Sequence, residues 1–183
     1  MYEIIYTDPP WQQSKGSKKD AVPNSGKPFD YKTIPLTEIG SIHKSYFTQA
    51  ADYHNVFMWT IDKYLHEAES MMKNNGYKLH ARLIWDKCIG IPTAFTVRFA
   101  HEYLLWFYKP GYMLKPVPEM RGKYSTVIRE QSTVHSKKPE AAYKMIEAMF
   151  PSARKIELFA RQRREGWEAF GDQLECFSQH FQD

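Results

Sequence analysis

Cysteine is nearly missing from this 183-residue chain: Cys88 and Cys176 stand alone and make no metal-binding or redox motif. That argues against a disulfide framework and against a thiolate metal site, and reduced thiols in a cytosolic setting are the expectation. No apolar run reaches the roughly 18 residues of a membrane-spanning helix, and no signal-peptide pattern opens the chain. The nine glycines never gather into a dinucleotide fingerprint or a phosphate loop. Charge of one sign is not in large excess either, with 25 basic and 21 acidic residues giving a net +4. Such a balance permits nucleic-acid binding without requiring it, because a local basic stripe matters more than the total. No internal repeat is visible.

What the chain does have is hydrophobic and aromatic content, 43% and 15%. That is the composition of a packed globule, and the length suits one domain over 1–183. Tyr2-Glu3-Ile4-Ile5-Tyr6-Thr7 reads as a strand stopped by proline. Residues 36–50 carry Leu36, Ile39, His43 and Phe47 at helical spacing. The apolar run 55–61 fits a strand buried on both faces, and 64–74 reads as a helix stopped by Asn75-Gly76. Strands follow at 78–87 and 101–109, joined by a short link that suggests an antiparallel pair at one edge of the sheet. A helix with an apolar face of Ala142, Met145, Ile146 and Met149 then precedes a buried strand at 154–160. Beyond a short strand near 126–129, little regular structure is expected in 110–134. The alternation predicts an α/β fold with a mostly parallel sheet of about five strands. Strand 154–160 is expected to leave an open sheet edge that a second copy would cover, making a homodimer.

The first strand runs straight into Asp8-Pro9-Pro10-Trp11. In open α/β sheets ligands bind at the carboxyl ends of strands. Neither proline has an amide hydrogen and both have a fixed φ. The carbonyls of Asp8 and Pro9, beside the Asp8 carboxylate, are therefore candidate rigid acceptors, with Trp11 as a stacking surface. That set suits a planar base bearing an amino group. The same four residues also describe a strand-ending turn with a capping Asp and a core Trp.

The tetrapeptide resembles the DPPW signature of the S-adenosylmethionine-dependent adenine amino-methyltransferases. Within them it is similar to the family of the messenger-RNA adenosine methylase catalytic subunit and its short bacterial and phage relatives. A second match lies at the other end, in His135-Ser136-Lys137-Lys138-Pro139, then Lys155-Ile156-Glu157-Leu158-Phe159-Ala160-Arg161, Gly166-Trp167 and Gly171-Asp172-Gln173. The resemblance implies a permuted Rossmann-like methyltransferase fold, with the substrate motif ahead of the cofactor strand.

By that resemblance, Asp8, Pro9, Pro10 and Trp11 carry catalysis, with Tyr31 and Glu102 near the target base. The cofactor S-adenosylmethionine would meet Asp8, Lys138, Glu157, Phe159, Arg161, Arg163 and Arg164, with Asp172 and Gln173 at its adenosine end. Arg163-Arg164 and Asp172 depart from the residues common in relatives. Loops 12–33 and 110–134 would contact nucleic acid through lysines and arginines, and 174–183 is a tail. The implied reaction methylates adenine in DNA, in bacterial or phage-infected cytoplasm, with no metal and no membrane partner. RNA as substrate, a non-catalytic partner subunit and methylation of some other amine are the alternatives.

Overall fold

The computed structural model describes residues 1–12, 33–88, 99–132, 137–171 and 174. Seven strands form one sheet: β1 Tyr2–Thr7, β2 Ala50–Thr60, β3 Lys78–Asp86, β4 His101–Tyr108, β5 Val127–Arg129, β6 Lys155–Leu158 and β7 Trp167–Phe170. Their spatial order is β5-β3-β4-β2-β1-β6-β7. β1 lies parallel to both β2 and β6, with Thr7 opposite Met58 on one side and Leu158 on the other. β6 is parallel to β7 and β3 to β5, whereas β4 runs against both β2 and β3. Six strands therefore end on one edge of the sheet, and β4 begins there.

Two expectations need correction. The antiparallel strand is interior, between β3 and β2, and not at the edge. Its Leu104-Leu105-Trp106-Phe107 run is buried throughout, as a strand covered on both faces must be. The sheet also has seven strands where about five were expected. The extra β7 covers β6, which removes the open edge that motivated self-association. A glycine makes this closure possible: a Cβ on Gly171 would sit 2.2 Å from the Ala160 carbonyl oxygen.

Among the described residues, three α-helices cover the faces. On one side α3 (Glu140–Met149) packs Ala142, Tyr143, Met145, Ile146 and Met149 onto Ile4, Tyr6, Phe57 and Trp59. On the other, α1 (Leu36–Phe47) and α2 (Leu65–Asn74) pack Ile39, Ala68 and Met72 onto Ile5, Val56, Met58 and Leu158. Successive residues of a strand point to opposite faces. From Ile4 onward the even residues of β1 thus look toward α3 and the odd ones toward α1 and α2. No helix among the described residues is long and apolar enough to cross a membrane.

Candidate active site

Because β1 lies beside β6, the two ends of the sequence meet at the carboxyl edge. The Asp8 amide donates to the Leu158 carbonyl at 3.3 Å, continuing the β1–β6 pairing past the last strand residue. The Asp8 side chain has the parity of Ile4 and Tyr6 and turns to the α3 side, where Lys138 reaches it. Lys138 Nζ lies 3.0 Å from Asp8 Oδ1 and 2.7 Å from Glu102 Oε2, and Lys87 Nζ lies 2.6 Å from Glu102 Oε1. Cation and anion alternate along Lys87, Glu102, Lys138 and Asp8, with no more than one fifth of any of the four side chains exposed.

Each member has an element that puts it there. Glu102 is the second residue of β4, and its partner Trp85 is the penultimate residue of β3. Lys138 stands just ahead of α3, whose first turn has no side-chain cap of its own and begins after Pro139. The Glu130 carboxylate supplies the cap by accepting from the amides of Glu140 and Ala141, both at 2.8 Å. Unsatisfied first-turn amides and the helix dipole both favour an anion at that place. Lys138 is further held with its ammonium 5.3 Å from the centre of the Trp59 ring.

The charges respond to this packing. Burial acts to raise the Glu102 carboxyl, but Lys138 and Lys87 outweigh it and bring it down to about 2. Lys138 is held above the usual lysine range: burial opposes its charge, and Asp8 and Glu102 more than offset that. Asp8 behaves differently. Burial lifts it above the usual carboxylate range against the pull of Lys138, and the neighbouring Glu102 charge adds to the rise, while Arg161 pulls it down. Glu102 has two ammonium partners and Asp8 shares one, so Asp8 is the less stabilised anion.

Behind this array a hydrogen-bonded aromatic chain leads to Glu157. Trp59 Nε1 donates to the Tyr6 hydroxyl, and the Tyr143 hydroxyl donates to Glu157 Oε1 at 2.9 Å. Burial raises the Glu157 carboxyl to about 7, with the Tyr143 bond opposing the rise and Asp8 adding to it. Its other oxygen, Oε2, is buried with no hydrogen-bond partner among the described residues. A buried acceptor left unpaired is costly. It fits a site that takes its missing donor from a bound molecule.

The other side of the turn is apolar. Trp11 is 4% exposed, stacks on Tyr64 at 5.2 Å and donates through Nε1 to the Trp59 carbonyl at 3.1 Å. The expected open stacking surface is therefore not there: Trp11 is a core ring, because the turn aims it at Tyr64, just ahead of α2. Pro9 differs from expectation too. Its carbonyl accepts from the Trp11 amide at 2.8 Å, leaving one lone pair for another donor. Thr7 points to this side and pairs with His43 Nε2 at 2.8 Å; burial lowers that histidine to about 4, so it is neutral at pH 7.

The remaining sequence candidates divide. Phe159, directly after β6, has φ +60° and packs edge-on against His43. A non-glycine residue in that region is uncommon and marks a backbone held in place by its surroundings. Arg161 lies near enough to lower Asp8. Arg164 is committed to α3, where it pairs with Glu140 and Glu147, both at 2.6 Å, and lies over the Tyr143 ring. Arg163 is exposed. Tyr31, Asp172 and Gln173 lie outside the described residues.

Residue-by-residue reading missed Lys87, Trp59 and Tyr143. For the first two a signal existed: Lys87 directly follows β3, and Trp59 is the penultimate residue of β2, so both belong to the edge that carries Asp8.

The MT-A70 family model matches residues 2–173. The chain is 30% identical to the type II methyltransferase M.MunI of a Mycoplasma species over 185 residues, which cover 93% of this chain and 76% of that protein. It is 29% identical to an Arabidopsis thaliana N(6)-adenosine-methyltransferase MT-A70-like protein, covering 65% of this chain and 18% of the relative. A Drosophila melanogaster N(6)-adenosine-methyltransferase MT-A70-like protein is 28% identical, covering 66% and 21%. The chain thus spans about three quarters of the first relative and about a fifth of the plant and insect ones. The matched span runs from β1 past β7 and takes in both halves of the charged edge: the chain belongs to the MT-A70 family.

Proposed function

We propose that this protein methylates the exocyclic amine of adenine in DNA, using S-adenosylmethionine. The observation that carries the reading is the Asp8 carboxylate, partly buried at the carboxyl edge and tied to Lys138, with β6 and its Glu157 on the neighbouring strand. DNA is preferred because the chain covers most of a type II methyltransferase. RNA is the second reading, since the plant and insect relatives are adenosine methyltransferases.

The chemistry follows from what an aromatic amine lacks. Its lone pair is delocalised into the ring, so it attacks poorly. A hydrogen bond donated by the amine to the Asp8 carboxylate, and a second to the free lone pair of the Pro9 carbonyl, draw the nitrogen toward tetrahedral geometry. Positive charge then grows on nitrogen beside a fixed anion, an electrostatic stabilisation that needs no reorganisation. Lys138 and the β1–β6 pairing hold that anion in place, which is the orientation term. Trp11 serves from behind, pinning the turn to Tyr64, just ahead of α2. When bound, the cofactor would supply a methyl activated by the sulfonium: the S–CH3 bond would break as the N–CH3 bond forms, a neutral thioether would leave, and the surplus proton on nitrogen would pass to the Asp8 carboxylate or to water, so the chain's task is alignment.

For holding the cofactor, Glu157 Oε2 offers a buried acceptor, and Lys138 and Arg161 offer cations for a carboxylate or hydroxyls. Phe159 shapes the floor after β6. Arg163, Asp172 and Gln173 are assigned to the ribose and adenosine end by family resemblance, and Tyr31 and Glu102 to the base. Arg164 acts through α3, bracing the segment that follows β6.

The test is incubation with methyl-labelled S-adenosylmethionine and either duplex DNA or RNA, then digestion and nucleoside mass spectrometry. Label in N6-methyldeoxyadenosine is expected. Label confined to the RNA nucleoside would select the second reading, and label in neither would end both.

A further inference from the structure

Glu102 has two oxygens and each holds a different ammonium: Oε1 that of Lys87 at 2.6 Å, Oε2 that of Lys138 at 2.7 Å. Lys138 also reaches Asp8 at 3.0 Å. One lysine thus serves two largely enclosed carboxylates, and a second lysine makes up the difference. With Lys87 counted, the four charges sum to zero; without it, two carboxylates share a single cation.

Lys87 is itself fixed. Its amide donates to the Ala100 carbonyl at 2.9 Å, and its own carbonyl accepts from the Ser132 amide at 3.2 Å. The strand-end residue is thereby pinned between the start of β4 and the segment after β5. Its ammonium lies 5.3 Å from the centre of the Trp85 ring, a second favourable contact for a positive charge. Less than one fifth of the side chain is exposed. A lysine so placed is not a solvated surface charge.

We propose that Lys87 is a positioning residue for methyl transfer: by neutralising Glu102 from the far side, it leaves Lys138 available to hold Asp8 ionised and aimed. The proposal rests on the reading of Asp8 as the acceptor for the amine. The groups facing Asp8 are Lys138, Glu102 and Arg161, with Glu157 and the Tyr6 hydroxyl further along the α3 side. Those facing Glu102 are Lys87, Lys138 and Asp8. Removing Lys87 leaves Glu102 and Asp8 in competition for Lys138, and two like charges at one site drive one of them to take up a proton. Asp8 already sits above the usual carboxylate range, so it is the one to yield. A protonated Asp8 loses its negative charge, the property the amine needs.

The experiment compares the full chain with Lys87→Met and Lys87→Arg. Two measurements are made on each: the pH–rate profile of methyl transfer, and the titration of the Asp8 carboxyl by carbon-13 NMR, assigned with Asp8→Asn. In Lys87→Met, the acid limb of the profile and the Asp8 titration should both move up by about one pH unit. At a pH below the parent's acid limb the rate should fall about tenfold, and cofactor affinity should change less than that rate. Lys87→Arg keeps the charge and should restore both. Should Lys87→Met fail to fold, Lys87→Gln is read in the same way. An unmoved Asp8 titration overturns the proposal, as does an arginine variant as impaired as the methionine one. The NMR readout does not need turnover. A moved titration with an unmoved rate profile would retain the ion array and instead remove Asp8 from the chemistry.

Discussion

The turn at residues 8–11 faces two regions of opposite character. Toward α3 lie four alternating charges and a buried carboxylate with an oxygen unpaired among the described residues. Toward α1 and α2 lie stacked rings, Trp11 on Tyr64, and a neutral histidine bonded to Thr7. The backbone between them is one strand end and one proline turn. The difference teaches a division of labour: one side holds reactive charge, and the other anchors that charge through packing. Changes on the first side should alter rate and pH response, and changes on the second should alter stability.

Lys138→Met should break the charged side hardest. Methyl transfer is expected to fall by about a hundredfold or more, and calorimetry should show weaker cofactor binding. The acid side of the stability profile should change as well. In the parent chain Glu102 is lowered to about 2, so its contribution is full above the ordinary carboxylate pKa of 4.5 and is lost as pH falls toward 2. Without Lys138, Glu102 keeps Lys87 but Asp8 loses its ammonium partner, so Asp8 should rise further and urea denaturation should show stability gained as pH falls through its raised value. A variant with unchanged cofactor affinity would remove Lys138 from the cofactor site.

Trp11→Ala sharpens the contrast from the other side. Deleting a buried indole should cost about 3–5 kcal/mol in denaturant unfolding. Trp11→Phe, which refills most of the space, should recover a large part of that loss and transfer methyl at near the parent rate. If Trp11→Phe instead unfolds like the parent but transfers methyl far more slowly, the ring contacts substrate and is no mere anchor.

Glu157→Gln is the finest probe. With its folded value raised to about 7, above the ordinary 4.5, the parent carboxyl contributes stability that is full below pH 4.5 and is lost as pH rises toward 7. At about 1.4 kcal/mol per pH unit that loss is about 3 kcal/mol. The amide cannot ionise, so its stability should stay flat over the same window. A parent chain already flat there would mean that Glu157 is not buried as described.

Much of this was legible in the sequence because it depends on short-range order. A strand ending in Asp8-Pro9-Pro10 places a carboxylate at a sheet edge by itself, and the apolar face of α3 and the run of β6 are periodic signals. What escaped depends on contacts distant in sequence. β7 is four residues long and directly follows the Gly166 turn, at φ +76°. Its identity as a strand comes only from lying against β6. Whether β4 was edge or interior depended on β2 pairing with its free side. Which way Trp11 faced was fixed by Tyr64, some fifty residues on. Lys87 looked like an ordinary strand-end lysine until Glu102 and Lys138 arrived beside it.

The central claim is that a single fixed anion at the end of β1 activates the target amine, and Asp8→Asn tests it most directly. Single-turnover methyl transfer to adenine in DNA should be measured beside cofactor affinity on the same preparation. Transfer reduced about a hundredfold or more, with the cofactor still bound, is the predicted result. An asparagine variant that methylates adenine at near the parent rate would contradict it.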